Sequence, residues 1–95
     1  MEIENLLFWH PAICQVAIVG VPDPRLGERA CAFLVLREGE RFDFAEMAAY
    51  LERHQVARQY FPEYLEVLPQ LPMTVSGKIQ KFQLREIAKS SFSKS

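Results

Sequence analysis

Ile13-Cys14-Gln15-Val16-Ala17-Ile18-Val19-Gly20-Val21 and, after a break, Ala30-Cys31-Ala32-Phe33-Leu34-Val35-Leu36 are the two most apolar runs of this chain. A strand with one wet face alternates polar and apolar residues, whereas a strand covered on both faces reads as an almost unbroken apolar run. Both runs are of the second kind. Between them, Pro22-Asp23-Pro24 and Gly27 are strong breakers, so a loop centred near Arg25 joins the strands into a hairpin. That register sets Cys14 near Leu36 and Cys31 near Val19, heights too different for one disulfide. Both thiols therefore read as small buried apolar groups of a reducing compartment.

The flanking sequence supplies the cover. Ile3, Leu6 and Leu7 recur at helical spacing until Pro11 stops the helix. Asp43 and Glu46 have capping-box spacing and open a helix expected to turn Phe44, Met47, Ala48 and Leu51 inward. Pro62 precedes a short alternating strand, Tyr64 to Leu68, and a last helix is expected from Lys78 to about Ser90. The fold class is α+β: a small three-stranded sheet with helices packed on it. Residues 1–90 form one domain, and the Ser/Lys-rich tail 91–95 is expected to be disordered. Phe8, Trp9, Tyr60 and Phe61 are many aromatics for so small a core; such residues are enriched at interfaces, although core packing is their commoner use.

Composition excludes several function classes. A 95-residue chain buries only somewhat more than about 60% of its unfolded surface, so the core is modest. The net charge of −1 argues against general nucleic-acid or membrane-surface binding. No run approaches the roughly 20 apolar residues of a membrane span. Acidic residues follow Met1 where a signal peptide would be basic and then apolar, and Ser93-Lys94-Ser95 misses the peroxisomal Ser-Lys-Leu address by one residue. A cytoplasmic location is the expectation. Cys14, Cys31, His10 and His54 show no zinc-ligand spacing, so no metal site is expected.

The charge is nonetheless uneven. From Gly77 onward Lys78, Lys81, Arg85, Lys89 and Lys94 face a single acid, Glu86. The turn Pro72-Met73-Thr74-Val75-Ser76-Gly77 delivers Lys78 to the start of the expected helix, with Lys81 and Arg85 following at helical spacing. Lysine in a first helical turn opposes the helix dipole. Either an anion is expected there, where free backbone N–H groups also favour negative charge, or the helix starts later and these cations solvate its face. A nucleotide P-loop does not fit: Gly77-Lys78 is followed by Ile79 rather than a hydroxyl residue, and Pro72 stands where the first glycine belongs.

Pro72-x-Thr74-x-Ser76-Gly77-Lys78-x-x-Lys81 resembles the C-terminal lysine motif of the adenylate-forming enzymes, which comprise acyl-CoA synthetases, peptide-synthetase adenylation domains and firefly-type luciferases. Glu2-Ile3-Glu4-Asn5 with His10-Pro11 resembles the opening of that family's small, mobile C-terminal domain. Val19 to Glu28 resembles its strand–loop–strand turn. Ile79-Gln80-Lys81-Phe82-Gln83-Leu84-Arg85 resembles the acyl-CoA synthetase branch, with a local likeness to bacterial short- and medium-chain fatty acid or alicyclic acid ligases. Four segments in the family's order across 95 residues make the resemblance specific.

The resemblance implies a two-step ligation. A carboxylic acid attacks the α-phosphate of ATP, taken with magnesium, to give an acyl-adenylate and pyrophosphate; CoA then displaces AMP to give a thioester. Lys78 is implied as the catalytic residue of the first step, with Thr74, Ser76 and Gly77 forming its loop. Gly20, Arg25, Gly27, Arg58 and Lys81 are implied contacts of CoA or phosphate, although a solvated surface arginine is an equal reading of Arg58. The large N-terminal domain holding the ATP and acyl pockets is absent from this sequence, so the chain is expected to be the last part of a longer enzyme, binding neither substrate and doing no chemistry alone. Two other readings stay open: an adenylation domain serving a carrier protein, disfavoured because no carrier module follows Lys78, and an independent anion- or RNA-binding module on the Lys78–Lys81–Arg85–Lys89 stripe, disfavoured by the overall charge.

Overall fold

The structure is a computed structural model, and it describes residues 3–23 and 27–92. Its elements are α1 (Ile3–Phe8), β1 (Ile13–Asp23), β2 (Gly27–Leu36), α2 (Phe44–Arg53), a 3-10 turn (Arg58–Tyr60), β3 (Tyr64–Val67) and α3 (Lys81–Phe92). The strands form one sheet in the order β1-β2-β3, with β1 antiparallel and β3 parallel to the central β2. A parallel neighbour cannot be reached by a tight turn, and here α2 lies in the connection from β2 to β3.

The unbroken apolar runs are explained by cover on both faces. Along β2, Ala32, Leu34 and Leu36 point into one cluster with Leu6 and Leu7 of α1 and Met47, Tyr50 and Leu51 of α2. Cys31, Phe33 and Val35 point the other way, against Leu84 and Ala88 of α3 and Leu71. The result is three layers, helices on both sides of a sheet. Burying a residue such as Leu84 fully stabilises the layer by about 1.5–3 kcal/mol.

The expected register of Cys31 opposite Val19 is found. At the other end the ladder departs from expectation. Ile13 pairs with Leu36 and Gln15 with Val35, so Cys14 is an extra residue at a β-bulge. The bulge shifts the period by one residue, which turns Ile13 into the same cluster as Val16 and leaves Cys14 exposed. Cys31 is buried as expected, whereas Cys14 is a surface thiol. The breakers also act less strongly than expected: strand pairing continues through Pro22↔Glu28 and Asp23↔Gly27. A proline is tolerated there because β1 is an edge strand.

Asp43 caps α2, its Oδ1 accepting the Glu46 N–H at 2.8 Å. The inward stripe is turned from its expected position. Met47 and Leu51 are buried, but Phe44 is exposed and Ala48 only half-buried, while Tyr50 is buried instead. At about 100° per residue, Met47, Tyr50 and Leu51 share one arc and Phe44 lies on its margin. Tyr50 is acceptable inside because its hydroxyl donates to the Leu6 carbonyl at 2.8 Å and its ring packs edge-on against His10. At the other end of α2, Gln55 takes a left-handed φ of 62°, and its N–H and that of Val56 close on Glu52 and Leu51 carbonyls.

The surplus aromatics are mostly not core. Trp9 is 79% exposed, Phe8 and Tyr60 are also exposed, and only Phe61 packs against the first cluster. No helix among the described residues is long and apolar enough to cross a membrane.

Candidate functional site

The segment from Pro72 to Gln80 folds as a small hairpin rather than as the lead-in to a helix. Met73 and Ile79 form an antiparallel bridge, and the Gln80 N–H donates to the Pro72 carbonyl at 2.8 Å. Above the bridge, the Thr74 N–H donates to the Lys78 carbonyl at 2.8 Å and the Gly77 N–H to the Thr74 carbonyl at 2.9 Å. This is the pattern of a three-residue hairpin loop, whose last position takes a left-handed conformation. Gly77 fills that position with φ +89°, a region that side-chain-bearing residues rarely adopt.

Thr74 locks the loop from within. Its Oγ1 accepts the Lys78 N–H at 3.0 Å and lies 2.9 Å from the Ser76 hydroxyl. The base of the hairpin is held in the second core by Leu71, which is buried, and Ile79, which packs beside it. The tip, with Val75, is fully exposed. Thr74, Ser76, Gly77 and Lys78 are thus brought together on one ordered turn.

Helix α3 begins at Lys81, three residues later than expected. The reason is that the Lys78 carbonyl and Ile79 are already used in pairing across the hairpin. Lys78 is therefore not in a helical first turn, and its charge does not oppose the dipole of α3 from within that turn. The expected stripe of four cations loses its first member: Lys81, Arg85 and Lys89 lie on the helix, and Lys78 stands off it. The Lys78 side chain is exposed and has no ion-pair or hydrogen-bond partner among the described residues.

Lys81 is differently placed. Its Nζ lies 2.6 Å from Glu4 Oε2, and the same oxygen accepts the Ile18 N–H of β1 at 2.8 Å. Glu4 carried no site role in the sequence reading. The available signal was an acid beside the apolar stripe of a six-residue helix, which does not by itself name a partner 77 residues away. The pair borders a cavity of about 300 Å³ lined by Ile3, Ile18, Ala30, Tyr60 and Pro62 as well.

The other expected site residues lie on separate elements. Gly20 is half-buried in β1 opposite Ala30. Gly27 opens β2 with φ +83° and is exposed. Arg58 begins the 3-10 turn and is exposed. Arg25 lies outside the described residues. Among the described residues, no group of three or more His, Cys, Asp or Glu side chains is arranged to hold a metal ion.

The family model described as AMP-binding enzyme C-terminal domain matches residues 2–78. The medium-chain fatty-acid–CoA ligase of Escherichia coli is 43% identical over 86 residues, which cover 90% of this chain and 15% of that protein. The human mitochondrial medium-chain acyl-CoA ligase is 39% identical over 85 residues, again 90% of this chain and 14% of the relative. This chain therefore spans about one seventh of the length of such relatives. Among solved structures, the acyl-CoA synthetase of Brucella canis superposes with a TM-score of 0.82 at 35% identity, over 94% of this chain and 17% of that one. ATP-bound MatB from Rhodopseudomonas palustris gives 0.86 at 30% identity, over 95% and 18%.

Proposed function

This chain belongs to the family of AMP-binding enzyme C-terminal domains, and from that premise we propose that it is the mobile lid of an ATP-dependent carboxylic acid–CoA ligase. Its partner in catalysis is a large N-terminal domain carrying the ATP and acyl pockets, and its substrates there are a carboxylic acid, magnesium ATP and CoA. The two free cysteines support a reducing, cytoplasmic setting.

The observation that carries the reading is the state of Lys78. An ammonium with no partner among the described residues projects from a hairpin whose backbone is held at both arms. A cation fixed at its root and open at its tip is suited to meet charge that another domain presents. In adenylate formation, negative charge is shared between the attacking carboxylate and the α-phosphate oxygens. Lys78 acts there as a compact point charge, and a preorganised group of this kind is worth about 10²–10³ in rate. Gly77 supplies the left-handed turn, and Thr74 and Ser76 hold it.

For the thioester step the lid rotates and presents its strand–loop face, with Gly20 and Gly27, towards CoA; Arg25, outside the described residues, is a further contact proposed from the sequence alone. Arg58 supplies positive charge for the CoA phosphates, whereas the ammonium of Lys81, expected in the same role, is paired with Glu4. Rotation of a domain between two half-reactions is a normal use of a hinge.

The test separates the half-reactions in a full-length ligase carrying this domain. Lys78→Ala is expected to abolish adenylate formation, read as pyrophosphate release, while thioester formation from supplied acyl-adenylate persists. Retained adenylate formation, or equal loss of both steps, would overturn the assignment.

A further inference from the structure

We propose that Glu4 is a positioning residue for Lys78, acting through Lys81; the proposal rests on the functional reading above and names what holds its lysine in place. Among the described residues, β1 is an edge strand paired with β2 alone. The Ile18 N–H therefore faces the open side of the sheet, and Glu4 Oε2 closes it at 2.8 Å. The same oxygen holds Lys81 Nζ at 2.6 Å, with the two side chains 24% and 43% exposed. A carboxylate that is half-buried and fixed by a backbone donor is a better anchor than a surface ion pair, because little side-chain freedom is left to lose.

Lys81 is the first residue of α3, three residues beyond Lys78. Every residue between them is committed: the Lys78 carbonyl and N–H to Thr74, Ile79 to the bridge with Met73, and the Gln80 N–H to Pro72. From the Glu4 carboxylate to the Lys78 backbone there is no unconstrained joint. Without the pair, the hairpin base and α3 keep only their apolar anchors, Leu71, Ile79, Leu84 and Ala88, which are less directional than a fixed charge pair, and the first turn of α3 gains freedom to shift together with the hairpin. Small displacements of a catalytic group carry large rate penalties.

The experiment has two arms. In this chain, Glu4→Gln retains an acceptor for the Ile18 N–H but removes the charge that holds Lys81. Amide hydrogen exchange at Thr74 and Gln80 is expected to accelerate about tenfold, while the Met47 amide in α2 keeps its protection. Unchanged exchange at Thr74 and Gln80 overturns the proposal. In a full-length ligase, Glu4→Gln and Lys81→Met are each expected to lower kcat for adenylate formation about tenfold with the KM for ATP unchanged, and the double variant to be no worse than the poorer single one. Losses that multiply, or a wild-type kcat in Glu4→Gln, also overturn it. Lys78→Ala in the same enzyme keeps the two ideas apart. If Lys78→Ala abolishes adenylation and Glu4→Gln does not touch it, only the positioning role fails. If Lys78→Ala is active, the functional reading fails, and the exchange arm still decides what Glu4 holds.

Discussion

Replacing Gly77 by alanine tests whether the hairpin conformation, and not merely the presence of a lysine, serves the reaction. Gly77 has φ +89°, and a Cβ built there meets no atom within 4 Å. The substitution therefore has no steric component, and its cost is the backbone penalty of a left-handed residue, about 1–2 kcal/mol. Gly39 is a matched control: φ +81°, nothing within 4 Å of a built Cβ, and a place in the turn closed by Glu40 N–H on Arg37, remote in sequence from the Lys78 hairpin. Gly39→Ala is expected to lower the thermal midpoint by about 4–16 °C, which is what 1–2 kcal/mol costs a domain of this size, and to leave adenylate formation alone. Gly77→Ala is expected to lower the midpoint by no more than that, since the hairpin tip can relieve strain by local opening. Opening, however, releases the Thr74–Lys78 bonds and misplaces the lysine, so adenylate formation falls by about 10-fold or more. Gly77→Asn, which tolerates the left-handed region through its short polar side chain, recovers most of the activity. The assays are a thermal melt of this chain and pyrophosphate release from a full-length ligase carrying it. Equal midpoints and equal activities for the two alanine variants would refute the reasoning.

Two further outcomes concern the cysteines and the core. Burial, with Glu66 nearby, pushes the Cys31 thiol up from its ordinary 9.0 to about 12, so at pH 8 an alkylating reagent counted by mass spectrometry should add once to the native chain, at exposed Cys14, and twice only after unfolding. Because the folded state holds this proton longer than the unfolded one, stability is unaffected below about pH 9.0 and falls as pH rises from there towards 12, by at most about 1.4 kcal/mol per pH unit from this group; a flat alkaline stability profile for the wild type relative to Cys31→Ala would contradict the assignment. Tyr50→Phe removes the hydroxyl that reaches the Leu6 carbonyl at 2.8 Å; because that carbonyl also accepts the Trp9 N–H at 3.3 Å, the change is expected to cost about 0.5–1.5 kcal/mol in denaturant unfolding. No change in midpoint would show that water replaces the lost donor.

Local chemistry in the sequence carried much of this outcome. Unbroken apolar runs at 13–21 and 30–36 required cover on two faces, and the breakers between them required a hairpin, because period and turn chemistry act over a few residues. Asp43 and Glu46 marked the start of α2 for the same reason. The turn Thr74-x-Ser76-Gly77-Lys78 could be recognised as a unit, since its conformation depends on its own glycine and hydroxyls. The positions that only the tertiary structure decided are those where a distant partner sets the answer. The bulge at Cys14 follows from Ile13 joining the α1–α2 side of the core. The inward turn of Tyr50 follows from a carbonyl in α1. The start of α3 at Lys81 rather than Lys78 follows from pairing across the hairpin, which competes with the helix for the same backbone groups. Glu4 and Lys81 meet across most of the chain's length, and no short-range pattern links them; folding alone makes one carboxylate serve a strand edge and a helix start together.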